Sequence, residues 1–89
     1  MKLVTERPFT NPEVAARQLV QLASGIEAVQ NGRIHIEKIN FPFLYTLNGS
    51  GAEFGAGIGY AVEKGWLDLH ESGTYVRLLT PGQDTLSPR

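Results

Sequence analysis

The chain contains no cysteine, and this absence removes several classes of function at once. Disulfide frameworks, cysteine-based zinc sites and thiol nucleophiles are excluded. No segment approaches the ~18 consecutive apolar residues of a membrane span, and residues Met1–Phe9 carry charges without an apolar run. We therefore expect a reduced protein of the cytoplasm, with no signal peptide and no membrane partner.

An excess of charge of one sign is also missing. The chain has 8 Lys and Arg residues against 9 Asp and Glu residues, for a formal net charge of −1. This balance differs from the basic footprint of a typical nucleic-acid-binding protein. The segment Ser50–Thr80 is locally acidic, because it contains two basic residues, Lys64 and Arg77, and four acidic ones. The acidic residues are Glu53, Glu63, Asp68 and Glu71.

Motifs that carry catalysis or hold cofactors are absent as well. No Gly-x-Ser-x-Gly elbow and no Gly-Lys dipeptide occurs, so the glycine-rich segment Gly55–Gly59 does not predict a phosphate loop. His35 and His70 are far apart in the sequence, which makes a metal site improbable, and no two acids form a catalytic pair. We expect no enzyme activity, no catalytic residues, no metal and no cofactor.

The length of 89 residues allows one domain with a small core. We place this domain at residues 10–82, between tails at residues 1–9 and 83–89. The end of the chain, Pro81–Arg89, has two prolines and a glycine and is expected to fray.

The first helix is predicted to begin near Pro12. Either Asn11 caps it, or Thr10 caps it in a box with Glu13 while Phe9 packs against Val14. Apolar residues then recur at helical spacing and indicate a buried stripe that ends before Asn31-Gly32. The stripe consists of Ala15, Leu19, Leu22, Ile26 and Val29, widened by Ala16, Val20 and Ala23.

The middle of the chain predicts a short strand and a short helix. Residues Arg33–Glu37 alternate between polar and apolar side chains, as in a strand with His35 outward. Pro42 then favours the first turn of a helix capped by Asn40 or Phe41. Three residues of that helix can reach the core: Phe43, Leu44 and Leu47.

A further helix is predicted to begin at Ser50, which forms a capping box with Glu53. Its expected buried face consists of Phe54, Ile58, Ala61 and Val62, and Gly65 ends it. A hairpin follows, with strands at Trp66–His70 and Tyr75–Thr80 around a turn at residues 71–73.

This order of elements, together with Glu63-Lys64-Gly65-Trp66-Leu67 and the segment Tyr75–Gly82, resembles bacterial winged helix-turn-helix domains. The resemblance covers residues 11–82 and implies an α+β winged helix with three helices, a short strand and a two-stranded wing. It also implies a transcriptional regulator that binds duplex DNA through the third helix and the wing. The candidate DNA-binding residues are Arg33, Lys38, Tyr60, Lys64 and Arg77.

The outward face of the third helix argues for a different role. It offers almost none of the Arg, Lys, Asn and Gln side chains that read bases, with Lys64 only at its margin, and the wing tip carries Glu71. Small residues recur along it instead and would let a helix approach closely, either within the chain or in a second copy. With Trp66, which either anchors an interface or covers the hairpin, this candidate interaction strip comprises Gly51, Ala52, Gly55, Ala56 and Gly59. The alternative function is thus a winged helix that binds proteins, as a homodimer or with another partner, without sequence-specific DNA readout.

Overall fold

A computed structural model describes residues 8–26 and 32–86 of the chain. Within these ranges, four α-helices and three strands follow a 3-10 turn at Pro8–Thr10. The elements are α1 (Pro12–Ser24), β1 (Ile34–His35), α2 (Glu37–Tyr45), α3 (Gly51–Glu63), β2 (Leu67–Leu69), β3 (Tyr75–Leu78) and α4 (Thr80–Asp84). The predicted α+β class is confirmed.

The three strands form one antiparallel sheet in the order β1-β3-β2. Ile34 lies opposite Val76, and Leu67 lies opposite Leu78. Because Ile34, Val76 and Leu67 are buried in the core, one face of the sheet packs against the helices. The other face carries polar and aromatic side chains.

The core lies where α1 crosses α3, with α2 and the sheet closing its sides. Gly57 of α3 sits against α1: a methyl group on it would lie 2.9 Å from both the Ala15 Cβ and the Leu19 Cδ1 atoms. Phe9, which was expected in a tail, is buried and packs against Phe43 with ring centroids 4.7 Å apart. The first residues of the described chain therefore belong to the core.

Helix α1 begins where Asn11 caps it, since the Asn11 side chain accepts a hydrogen bond from the Glu13 amide at 2.9 Å. The alternative with Thr10 as cap is thus wrong, and Val14 is exposed. The helix ends at Ser24, earlier than predicted. The Gly25 amide donates a hydrogen bond to the Leu22 carbonyl, three residues earlier, and this bond tightens the last turn. The predicted stripe residue Val29 and the predicted stop at Asn31 lie outside the described residues.

The predicted strand at residues 33–37 is only two residues long, and α2 begins before the predicted start. The Ile36 carbonyl already accepts hydrogen bonds from the amides of Ile39 and Asn40. Ile39 and Phe43, four residues apart, are both fully buried, so α2 turns the face that carries them toward the core. Pro42 consequently lies inside the helix and not in its first turn.

Helix α3 has the predicted bounds, and its capping box is confirmed. The Ser50 hydroxyl accepts from the Glu53 amide at 3.1 Å, and the Glu53 carboxylate accepts from the Ser50 amide at 3.0 Å. The buried face differs from the prediction: Gly57 and Glu53 are buried, whereas Val62 is 39% exposed. The close approach of α1 at Gly57 turns this side of α3 inward.

The hairpin turns at residues 71–73 as predicted, and Gly73 has a φ of 78°. Both strands are shorter than expected, and the segment predicted to fray forms α4. Gly82 of α4 is buried, and a methyl group added to it would collide with the Trp66 carbonyl oxygen. The predicted domain boundary after residue 82 therefore falls inside a helix.

Candidate interaction surfaces

The predicted interaction strip lies open on α3. Methyl groups added to Gly51, Gly55 or Gly59 would meet nothing within 4 Å outside the helix's own neighbouring backbone. Ala52 and Ala56 are exposed beside them. The strip therefore does not pack against α1 or α2, and within residues 8–26 and 32–86 the interpretation that it serves a helix contact in the same chain is wrong. We call these five residues the outer strip.

The outer strip is also uncharged. Between Gly51 and Val62 the only charged residue is Glu53, which is 9% exposed and is held in the capping box. Exposed helix faces ordinarily carry charged or polar side chains. No side chain of the outer strip can donate or accept a hydrogen bond, so these five residues cannot read a base edge by hydrogen bonds; Glu63, exposed at the end of the same face, is the nearest acceptor.

Two predicted DNA-binding residues, Tyr60 and Lys64, form part of an array in which two aromatic rings lie between two cations, with Trp66 as the second ring. The Lys64 Nζ atom lies 5.4 Å from the Tyr60 ring centroid, and the Tyr60 and Trp66 centroids are 5.6 Å apart. The Arg17 guanidinium continues the array, 5.2 Å from the Trp66 centroid. Trp66 is half-buried: it packs against the core, and its ring lies beside Arg17 from α1. Sequence reasoning missed Arg17, because the contact joins two distant segments.

Arg33 and Arg77, also predicted to bind DNA, line one groove of about 370 Å³ on the sheet. The Arg33 guanidinium carbon lies 5.5 Å from the Tyr75 ring centroid. Arg77 donates from Nη2 to the Asp68 carboxylate at 3.1 Å across the β2–β3 pair. This sheet groove is lined by Arg33, Asp68, His70, Tyr75, Val76 and Arg77.

The two histidines, which are far apart in sequence, meet at the same ring. The centroid of Tyr75 lies 4.6 Å from that of His35 and 6.0 Å from that of His70. Pairing of β1 with β3 brings them together, since His35 lies opposite Tyr75. The part of the chain that the structure describes has no group of three acidic or histidine residues that could hold a metal ion.

Lys38, the fifth predicted DNA-binding residue, is not among the residues of the sheet groove. It lines a wider groove of about 840 Å³ along α2, together with Phe41, Pro42 and Tyr45. Phe41 and Tyr45 are 63% and 69% exposed, and their rings lie 4.8 Å apart. Their spacing of four residues was the available signal, but it indicates a shared face only once α2 is known to begin before Pro42.

Among the described residues, no helix combines the length and the apolar character that crossing a membrane requires. No protein-family model matches the chain, and comparison with curated proteins and with solved structures likewise returns no match.

Proposed function

We propose that the chain is a winged-helix domain that acts as a protein-interaction module and associates with a second copy through the outer strip. The order helix, strand, helix, helix, strand, strand supports the winged-helix assignment, as does a sheet in which the first strand joins the hairpin. A location in the cytoplasm is part of this proposal.

The observation that carries the proposal is the exposed face of small residues on α3, the outer strip, which has a single exposed charge, Glu63, at its C-terminal end. A winged-helix protein that reads DNA presents polar side chains from this helix to the base edges. Here the corresponding face offers mainly glycine and alanine, with Val62 exposed beside them and Glu63 at its C-terminal end. Such a face gains nothing from contact with bases, whereas burial against apolar surface is favourable.

A second copy suits this surface. Small residues at positions 51, 55 and 59 leave a smooth path along α3, and a helix backbone can lie close along such a path. In a two-fold pair the same face serves both chains, so each outer strip would receive the other.

Analytical ultracentrifugation of the purified chain tests this proposal at protein concentrations up to about 100 μM. We expect a concentration-dependent dimer that Ala56→Arg abolishes and Gly55→Leu weakens. Both positions are exposed and both replacements favour helix, so the monomer fold should persist by circular dichroism. Gln21→Arg, on the exposed side of α1, is the matched control and should leave association unchanged.

A wild-type chain that stays monomeric throughout this range would overturn the self-association proposal. A dimer that tolerates Ala56→Arg as well as it tolerates Gln21→Arg would equally show that the outer strip is not the interface.

Binding of duplex DNA, as in a transcriptional regulator, is the second candidate. One observation favours it: Arg33 and Arg77 share the sheet groove although they are distant in sequence. Phosphate contacts through these cations would give binding that weakens steeply with salt and that Arg77→Ala reduces. An electrophoretic mobility assay at about 50 mM salt that detects no complex with mixed duplex DNA would exclude this role.

A further inference from the structure

We propose that the sheet groove binds a phosphate group carried by a small hydroxyl-bearing molecule, such as a sugar phosphate or a mononucleotide. This inference goes beyond the proposed self-association, because the groove shares no residue with the outer strip.

Two guanidinium groups supply the positive charge of the groove. Arg33 lies over the Tyr75 ring, and Arg77 is held by a hydrogen bond from its Nη2 atom to Asp68. Gly32 lies beside the Arg77 stem, where an added methyl group would be 3.8 Å from Cδ, so the start of β1 borders Arg77. The bond to Asp68 uses one nitrogen of Arg77 and leaves its other N–H groups available for an oxyanion.

His70 adds a hydrogen-bond donor. Its Nδ1 atom lies 3.1 Å from the backbone nitrogen of Ser72, and a backbone N–H can only donate. In the neutral ring Nδ1 is therefore the acceptor, and the proton resides on Nε2. The hairpin turn thus fixes the tautomer that offers an N–H donor. Tyr75 contributes a hydroxyl to the same lining.

The volume of the groove and the charge of Asp68 determine which groups the ligand carries besides its phosphate. At about 370 Å³ the groove is within the range of small-molecule sites and has room for more than inorganic phosphate. Asp68 repels a second anion, but its carboxylate can accept a hydrogen bond from a hydroxyl group. This distribution of charge fits a ligand whose phosphate lies beside the two arginines and whose hydroxyl groups lie toward Asp68.

The test is a titration of the full ¹⁵N-labelled chain with adenosine 5′-monophosphate, followed by NMR. We expect saturable shifts confined to the groove segments, and no comparable shifts with adenosine, which lacks the phosphate. Arg33→Gln and Arg77→Gln should each weaken binding by roughly tenfold or more, because each removes a charged donor. Arg17→Gln, which removes an exposed arginine outside the groove, is the matched control and should bind as the wild type does.

Three results would overturn the inference. The first is that adenosine binds as well as its monophosphate. The second is that Arg17→Gln weakens binding as much as Arg77→Gln does. The third is that duplex DNA shifts the NMR signals of the groove residues while adenosine 5′-monophosphate and ribose 5-phosphate do not, which would assign the groove to DNA backbone phosphates. None of these results depends on the oligomeric state, which ultracentrifugation of the same samples reports separately.

Discussion

Gly57 of α3 lies directly against Ala15 of α1, so closely that a methyl group at residue 57 would stand 2.9 Å from the Ala15 Cβ atom. Only a residue without a side chain allows the two helices to meet at this distance. The position is thus distinguished from Gly55, two residues earlier on the same helix, where an added methyl group meets nothing within 4 Å.

The first prediction compares these two glycines. Gly57→Ala should lower the free energy of unfolding by about 1–3 kcal/mol, because overpacking against Ala15 and Leu19 outweighs the better helix propensity of alanine. Gly55→Ala should raise it by roughly 0.5–1 kcal/mol, since the helix gains alanine without a clash. Urea unfolding followed by circular dichroism at low protein concentration measures both. Equal effects of the same sign would contradict the close approach at Gly57.

The second prediction concerns the capping box of α3. Ser50→Ala should reduce stability by about 1 kcal/mol, because the Glu53 amide loses its acceptor. Glu53→Gln should cost less than Glu53→Ala, since the glutamine oxygen can still accept from the Ser50 amide. Glu63→Ala, at the exposed opposite end of the helix, is the control and should stay within about 0.5 kcal/mol of the wild type. Thermal unfolding of the four variants gives the comparison.

The third prediction separates stability from ligand binding in the sheet groove. Asp68 and Arg77 form an ion pair in which both side chains are about half exposed, so Asp68→Asn should change the free energy of unfolding by less than about 1 kcal/mol. The same substitution removes the negative charge from the groove and should tighten binding of inorganic phosphate several-fold. Isothermal titration calorimetry measures the affinity. Weaker phosphate binding by the variant would contradict the assignment of Arg77 as a phosphate contact.

The fourth prediction concerns the docking of α4. Gly82→Ala should lower stability by roughly 1–3 kcal/mol, because its methyl group would collide with the Trp66 carbonyl, a backbone atom that cannot move aside by changing rotamer. Displacement of α4 should also alter the fluorescence of the single tryptophan. Gln83→Ala, on the exposed side of α4, should leave both readouts near the wild-type values.

Local signals in the sequence were sufficient for part of this fold. The spacing of Ser50 and Glu53 located the start of α3, since a capping box needs only neighbours along the chain. The start of α2 predicted from Pro42 was wrong. The local preference of proline for the first turn of a helix was outweighed by the burial of Ile39 and Phe43. Tertiary packing overrides such preferences when it buries whole side chains.

The candidate surfaces were predictable only in pieces. The small residues of the outer strip share one helix, so helical spacing alone was enough to group them. Arg33 and Arg77 share a groove only because β1 pairs with β3, and His35 meets Tyr75 for the same reason. Pairing between strands that are distant in the chain produces no periodic pattern in the sequence, so the residues of the sheet groove could not be grouped from the sequence.

The central place of β3 has a consequence for how this protein is made. Residue 34 finds its partner only at residue 76, so a nascent chain leaving the ribosome carries β1 without a neighbour while α2, α3 and β2 emerge. The helices α1 to α3 can pack during synthesis, but the sheet is completed only by β3, the last described strand to be translated. A ribosome that stalls before Tyr75 would therefore hold a chain with two unpaired strand edges, which is the form most exposed to aggregation.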